Sequence, residues 1–280
     1  MSESERIDAF VRERYRAYET LTSCPPPREV EAWFDDLAGV LFPEHATRRH
    51  EDADAFAAFV ADLETRLAHL VERCPRGTSD FAQRVATAFF ADLGELHAAL
   101  ELDVDAALRG DPAAQNRDEV VRTYPGVRAV VAHRVAHALW RRKVPLMARM
   151  IAEYAHRHTG IDIHPAARIG ARFFVDHGTG VVIGATAVVG DDVKLYQGVT
   201  LGGLSVRKED ADLKRHPTLG DRVVVYAGAT VLGGDTEVGH DSVIGGNVWL
   251  TRSVPPHTKL TYKASLREEP TNDPDVVEIG

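Results

Sequence analysis

From residue 163 onward the chain keeps a six-residue rhythm. Ile163, Ile169, Val175, Ile183, Val189, Leu195 and Leu201 carry it, and after a gap it resumes at Leu219, Val225, Val231, Val238, Ile244 and Leu250. Glycine follows many of these directly, as at Gly170, Gly190, Gly220 and Gly239. Four places beyond most of these aliphatic residues stands a small or β-branched one, among them Ala167, Thr179, Ala187, Val193 and Val199. A period of six matches neither the 3.6 of a helix nor the 2 of an ordinary strand. It is the signature of a β-helix, in which each short strand supplies one inward aliphatic side chain and equivalent positions stack into a continuous core.

The rhythm breaks in two places that hold chemically capable residues. The step from Val175 to Ile183 is eight residues long and contains Asp176-His177-Gly178-Thr179-Gly180. Between Leu201 and Leu219 the chain makes a charged excursion that includes Arg207 and Arg215. A coil that leaves register gives up ladder hydrogen bonds, so such breaks mark loops with a task of their own. A one-residue slip between Val231 and Val238 reads as a tolerated insertion.

Before residue 160 the period is helical. Phe56, Phe59, Val60, Leu63, Leu67 and Leu70 make one stripe over 52–73, and Phe81, Val85, Phe89, Leu93, Leu96 and Leu100 another over 79–109, which Ser79-Asp80 would cap. Gly110-Asp111-Pro112 then breaks the chain and would start a new helix with proline in its first turn. Further helices are expected over 127–142 and 145–158, and Pro25, Pro26 and Pro27 set off a short leading helix. The expected fold is therefore α+β: a helical domain over 1–160, a β-helix of hexapeptide repeats over 161–258, and an acidic, proline-containing tail over 259–280.

With 33 basic and 42 acidic residues the chain carries a formal charge of −9, which disfavours nucleic acid or an anionic membrane as partner. The N-terminus lacks the apolar core of a secretory signal, and no apolar run reaches the roughly 20 residues of a membrane span. Cys24 and Cys74, far apart in sequence, suggest reduced thiols rather than a disulfide framework. The expected location is therefore the cytoplasm.

His177 and Asp162 lie fifteen residues apart, and a three-faced coil takes about eighteen, so the two should sit near each other on adjacent coils. A carboxylate beside an imidazole fixes its tautomer and makes the ring a better general base. A structural ion pair is the ordinary alternative; the register break and the glycines around His177 favour chemistry.

Residues 162–203, DIHPAARIGARFFVDHGTGVVIGATAVVGDDVKLYQGVTLGG, resemble the core of the bacterial serine O-acetyltransferases. The resemblance continues through Arg215-His216-Pro217 and VIGGNVWLTRSVPPHT, and reaches back to Asp111-Pro112-Ala113 and to 132–140, covering roughly 110–258. Hexapeptides alone indicate only a large acyltransferase superfamily; DIHP with DHGTG, QGVTLGG and RHP is far more specific. The fold that the resemblance implies is a left-handed parallel β-helix.

The resemblance also implies an activity, with acetyl-CoA as co-substrate and L-serine as acceptor, no permanently bound cofactor and no metal. His177 matches the general base that activates the serine hydroxyl, and Asp162 its orienting partner. Asp111 and Asp176 match carboxylates that hold the substrate ammonium; read alone, Asp111 is a helix N-cap. Arg215 and His216 match the pair that meets the substrate carboxylate, where a guanidinium fork suits the geometry; read alone, Arg215 is a solvated charge. His164 is expected to be structural. Gly184, Ala185, Gly202, Gly203, Ala227, Gly228, Gly245 and Gly246 would let the pantetheine arm approach the backbone, although turn geometry alone accounts for most of them. Lys259, Lys263 and Arg267 would face the nucleotide phosphates.

Family members of this kind form trimers with active sites between subunits, and their helical parts join two trimers into a hexamer. Many end in an isoleucine that enters the active site of O-acetylserine sulfhydrylase, whereas this chain ends Ile279-Gly280. It also departs from the family in its longer, charged excursion over 204–214 and in the segment after Thr258. Rival readings are an acetyltransferase acting on a sugar or nucleotide-sugar amine, a β-helix metalloenzyme of the carbonic anhydrase kind, and a non-catalytic scaffold.

Overall fold

The computed structural model describes residues 1–19, 24–204 and 213–262. Eight helices come first: α1 (Glu3–Glu19), α2 (Pro27–Leu41), α3 (Ala53–Glu72), α4 (Ser79–Ala91), α5 (Leu93–Gly110), α6 (Arg117–Thr123), α7 (Pro125–Arg141) and α8 (Pro145–Thr159). Local chemistry sets several of their starts. Asp52 caps α3 by accepting from the Ala55 N–H (2.8 Å), Thr78 caps α4 through Phe81, and Asn116 caps α6 through Glu119. Helices α2, α7 and α8 begin at proline, where the missing N–H costs nothing.

The structure corrects two sequence expectations here. The stretch 79–109 is two helices, because the chain breaks at Asp92, and the cap of the first is Thr78 rather than Ser79-Asp80. No helix starts at Pro112: Asp111 is the C-cap of α5, a turn follows, and α6 starts only at Arg117. Both cysteines are free thiols, and the Cys74 thiol is pushed up to about 11, chiefly by burial and to a smaller extent by Cys24. No helix among the described residues is long and apolar enough to cross a membrane.

After Gly160, which ends α8 in the left-handed conformation (φ 70°), fourteen strands of two or three residues among the described residues wind through five coils. They stack into three parallel sheets. Sheet A holds β1 (Asp162–Ile163), β4 (Val182–Ile183), β7 (Thr200–Gly202), β10 (Thr230–Leu232) and β13 (Trp249–Leu250). Sheet B holds β2 (Arg168–Ile169), β5 (Val188–Val189), β8 (Thr218–Leu219) and β11 (Glu237–Val238). Sheet C holds β3 (Phe174–Asp176), β6 (Lys194–Tyr196), β9 (Val224–Val225), β12 (Val243–Ile244) and β14 (Lys259–Leu260). The aliphatic residue of each repeat points inward: Ile183 stacks on Ile163, Leu201 on Ile183, and Val231 on Leu201, each no more than 4% exposed. Burying one such side chain is worth roughly 1.5–3 kcal/mol, so the ladder of them supplies the solenoid's cohesion.

The helical part and the solenoid share their cores. Ala129 and Val130 of α7 pack into the solenoid's cluster, while Phe174 of β3 packs into the helical one. A buried ion pair locks the junction. Arg134 on α7 grips Asp103 on α5 with two bonds (2.8 and 2.9 Å) and donates to the carbonyls of Ile169 and Gly170, while Asp103 accepts from the Phe173 N–H (2.9 Å). Both charged groups of this buried pair are therefore well supplied with partners, the condition under which such a pair is tolerated. The lock sits at the start of β3, three residues before Asp176.

Candidate active site

The corner between sheets C and A carries the break in the rhythm. In later coils it is a tight turn through a left-handed residue, Gly198 (φ 71°), Gly228 (φ 70°) and Asn247 (φ 57°). Where the first coil passes into the second, between β3 and β4, two extra residues enlarge it. His177 (φ 58°) bulges outward, its ring 73% exposed, while Gly178 (φ 87°) turns inward and is buried. Thr179, small in the repeat pattern, is exposed here as well, and Val181 takes the buried place. Histidine tolerates this left-handed conformation better than most side chains.

Asp176, only 7% exposed, ends β3 at this corner. One of its oxygens lies 2.9 Å from the Lys194 ammonium, and the other lies 3.8 Å from His177 Nε2. Asp162 lies one coil below, on β1, where its N–H donates to the Val181 carbonyl (2.8 Å). The bulge rests on that coil, since a Cβ at Gly178 would stand 2.4 Å from Ile161 Cδ1. Asp162 and His177 thus flank one corner on adjacent coils. In the single chain, however, the carboxylate paired with the His177 ring is that of Asp176, not Asp162.

Asp111 reaches the same corner from the helical part. Its Oδ1 accepts from the Ala113 N–H (2.8 Å) and its Oδ2 from the Tyr124 hydroxyl (2.5 Å). The hydrogen bond from Tyr124, with that from Ala113 and the nearby charges of Lys194 and His177, holds the Asp111 carboxyl below its usual range. Tyr124 is pushed up to about 12, first by burial and then by Asp111. The helix-cap reading of Asp111 is replaced by a turn cap with one oxygen bound to a tyrosine. Sequence reasoning missed Tyr124, because before Pro125 it reads only as a helix start, and it missed Lys194, which looks like one more solvated lysine.

Arg215 and His216 lie across sheet A, at the corner between A and B. There His216 is 8% exposed and built in. The Thr186 hydroxyl oxygen accepts from the backbone N–H groups of Arg215 (2.9 Å) and His216 (3.1 Å), so its own proton points to His216 Nδ1 (2.8 Å). The Thr186 N–H also donates to that nitrogen (3.1 Å). Nδ1 is therefore an acceptor, and the ring's proton sits on Nε2. Burial, with Arg215 and Lys214 nearby, lowers the His216 pKa to about 4, so the ring is neutral at pH 7. His164, beneath it, is also lowered to about 4, chiefly by burial; its Nδ1 accepts from the Ala166 N–H, and its ring meets Trp140 edge-on.

One chain therefore carries two candidate half-sites at opposite edges of sheet A: Asp111, Asp176 and His177 at one, Arg215 and His216 at the other. The small residues divide in the same way. Gly184, Ala185 and Gly203 follow strands of sheet A and Gly202 ends one, whereas Ala227, Gly228, Gly245 and Gly246 follow strands of sheet C. Gly184 has a structural reason of its own, because the His216 ring fills the place of its Cβ. Lys259 lies exposed on β14, while Lys263, Arg267, the rest of the tail over 263–280 and most of the excursion, 205–212, lie outside the described residues. Grooves that the single chain forms by itself, one of about 590 Å³ around Phe56 and Phe59 and one of about 350 Å³ at the solenoid's end, include none of the residues of the two half-sites.

Among the described residues His240, Asp241 and His257 group as potential metal ligands. Arg222 already holds both Asp241 oxygens (2.6 and 2.8 Å), and His240 Nδ1 shares one of them (2.6 Å).

No protein-family model matches the chain. It is 45% identical over 256 residues to a plasmid-encoded serine acetyltransferase of Synechococcus elongatus, an alignment spanning 83% of this chain and 80% of that one. It is 54% identical over 158 residues to the serine acetyltransferase of Mycobacterium tuberculosis, spanning 56% of this chain and 67% of that protein. Among solved structures, serine acetyltransferase isoform 3 of Entamoeba histolytica in complex with cysteine superposes with a TM-score of 0.77 at 34% identity, covering 86% of this chain and 84% of that one.

Proposed function

The chain belongs to the serine acetyltransferase family, and from that premise we propose that it transfers the acetyl group of acetyl-CoA to the hydroxyl of L-serine, giving O-acetylserine and CoA on the route from serine to cysteine. The observation that carries this reading is the enlarged corner of the first coil. It presents His177 to solvent beside Asp176, and Asp111 is brought there from the helical part.

His177 takes the proton of the serine hydroxyl as the oxygen attacks the thioester carbon. The tetrahedral intermediate then expels the CoA sulfur, which receives that proton back from the imidazolium. A serine hydroxyl is a poor nucleophile at neutral pH, and this is the difficulty that a base in reach removes. Asp162, on the coil beneath, is the carboxylate that steers the ring once it turns over sheet A. Asp111 and Asp176 receive the ammonium. The Arg215 guanidinium and the fixed Nε2–H of His216 receive the carboxylate.

These groups act on one substrate only if two chains supply them. In a cyclic trimer each contact joins one surface of a chain to a different surface of the next. Setting the His177 edge of sheet A against the Arg215 edge of the neighbour closes the pocket and joins the two sets of small residues into one groove for acetyl-CoA. Cysteine, which an Entamoeba relative binds, has the same ammonium and carboxylate as serine and would occupy the same pocket as an inhibitor. The same pathway makes a sulfhydrylase the consumer of the product.

The test is CoA-thiol release from acetyl-CoA with L-serine, homoserine or an amino sugar as acceptor. Turnover with serine well above the other two supports the reading; turnover only with the amino sugar overturns it.

A further inference from the structure

Lys194 stands where the helical part, the solenoid and the proposed amine subsite meet. It lies on the outer face of β6, in register with Phe174 one coil below, while Asp176 is in register with Tyr196. Its side chain runs between those neighbours and is only 17% exposed. The ammonium lies 4.8 Å from the centre of the Phe174 ring and 4.4 Å from that of Tyr196. It donates to the Gly110 carbonyl (2.8 Å) and pairs with an Asp176 oxygen (2.9 Å). Those aromatic faces and acceptors define one place for the cation.

Resting on the serine reading, we infer that Lys194 is a positioning residue of the amine subsite, linking Asp176 to the Gly110-Asp111 end of α5 and so fixing how far apart the two carboxylates stand. Asp176 belongs to the solenoid, and Asp111 closes α5 in the helical part. The ammonium bonds the first directly and the carbonyl immediately before the second. With one Asp176 oxygen committed to Lys194, the other faces His177 and the open corner. The charge count agrees: two carboxylates are half balanced by Lys194, leaving one negative charge for the single ammonium of an amino acid. Burial disfavours the charge on Lys194, but hydrogen bonding with Tyr196 and Asp176 outweighs burial, so the group titrates above its ordinary range and stays charged.

Lys194→Met keeps the length and packing of the side chain and removes the charge. In the full-length protein the KM for serine should rise about tenfold, while the KM for acetyl-CoA holds and kcat changes far less. Lys194→Arg, which keeps a cation on the same ring faces, should recover part of the loss. Because the effect runs through Asp176, adding Lys194→Met to Asp176→Asn should change the serine KM by less than about twofold, whereas a purely structural role would leave the two changes additive. A serine KM that is unchanged or lower in Lys194→Met, or a parallel rise in both KM values, overturns the inference with the serine reading intact. A parent protein inactive with serine overturns both.

Discussion

Gly184 and His216 share one space: a Cβ on Gly184 would stand 1.9 Å from His216 Cδ2. The glycine is there for the ring, which Thr186 holds from the other side. Gly184→Ala must move either the ring or the coil. Overpacking of this kind costs roughly 1–3 kcal/mol. The expected outcome is a lowered urea midpoint and a raised KM for serine. A variant with parental stability and KM would show that the His216 position is not set by Gly184.

Tyr124 holds one oxygen of Asp111. Tyr124→Phe removes that bond without opening a cavity, so the Asp111 carboxylate, no longer oriented by the tyrosine, should hold the ammonium less firmly. The KM for serine should rise about three- to tenfold, as for loss of one charge-assisted bond, with the KM for acetyl-CoA unchanged. Asp111→Asn should act in the same direction and more strongly. Steady-state kinetics with each substrate varied separately checks both.

A pocket completed between chains predicts complementation. His177→Ala chains and Arg215→Ala chains, each inactive alone, should regain activity when co-assembled in equal amounts. With random cyclic mixing, about a quarter of the interfaces carry both intact half-sites. Recovery near that fraction supports the composite pocket. No recovery from assemblies shown to be mixed would place the whole site within one chain.

His164 and His216 are both held near pKa 4 in the folded chain, against an ordinary value of 6.5. The unfolded chain therefore takes up protons first as the pH falls. The stability present above about pH 6.5 should be lost progressively between 6.5 and 4, by at most about 1.4 kcal/mol per pH unit for each ring before solvent screening reduces it. Urea midpoints measured from pH 7.5 down to 4.5 should fall, and His216→Asn should flatten the slope. A midpoint independent of pH in that window would contradict the burial argument.

Much of the solenoid was legible in the sequence because its rule is strict. One inward aliphatic per six residues leaves no alternative, and Ile163, Leu195 and Val231 are buried as the rhythm requires. The helices were legible where proline or a capping residue marked them, as at Asp52 and Pro145. They were misread where the apolar stripe runs on across a break, as at Asp92, which has no side-chain cap to announce it. The enlarged corner could be read from the two extra residues between Val175 and Ile183. What could not be read is whatever depends on elements distant in sequence meeting in space. Arg134 and Asp103, Tyr124 and Asp111, and Lys194 and Gly110 are joined by the packing of α5 and α7 against the first coils, and no spacing in the sequence encodes that. The separation of Arg215 from His177 across sheet A emerges only once the coils are counted.

The central claim is that His177, raised at the enlarged corner, removes the proton of an amino-acid hydroxyl. Measuring CoA release with L-serine for the parent and for His177→Ala, with the assembly state of each determined alongside, tests it most directly. An intact assembly whose kcat falls by about 10²–10⁴ is expected; an intact assembly turning over serine at the parent's rate would rule out His177 as the base.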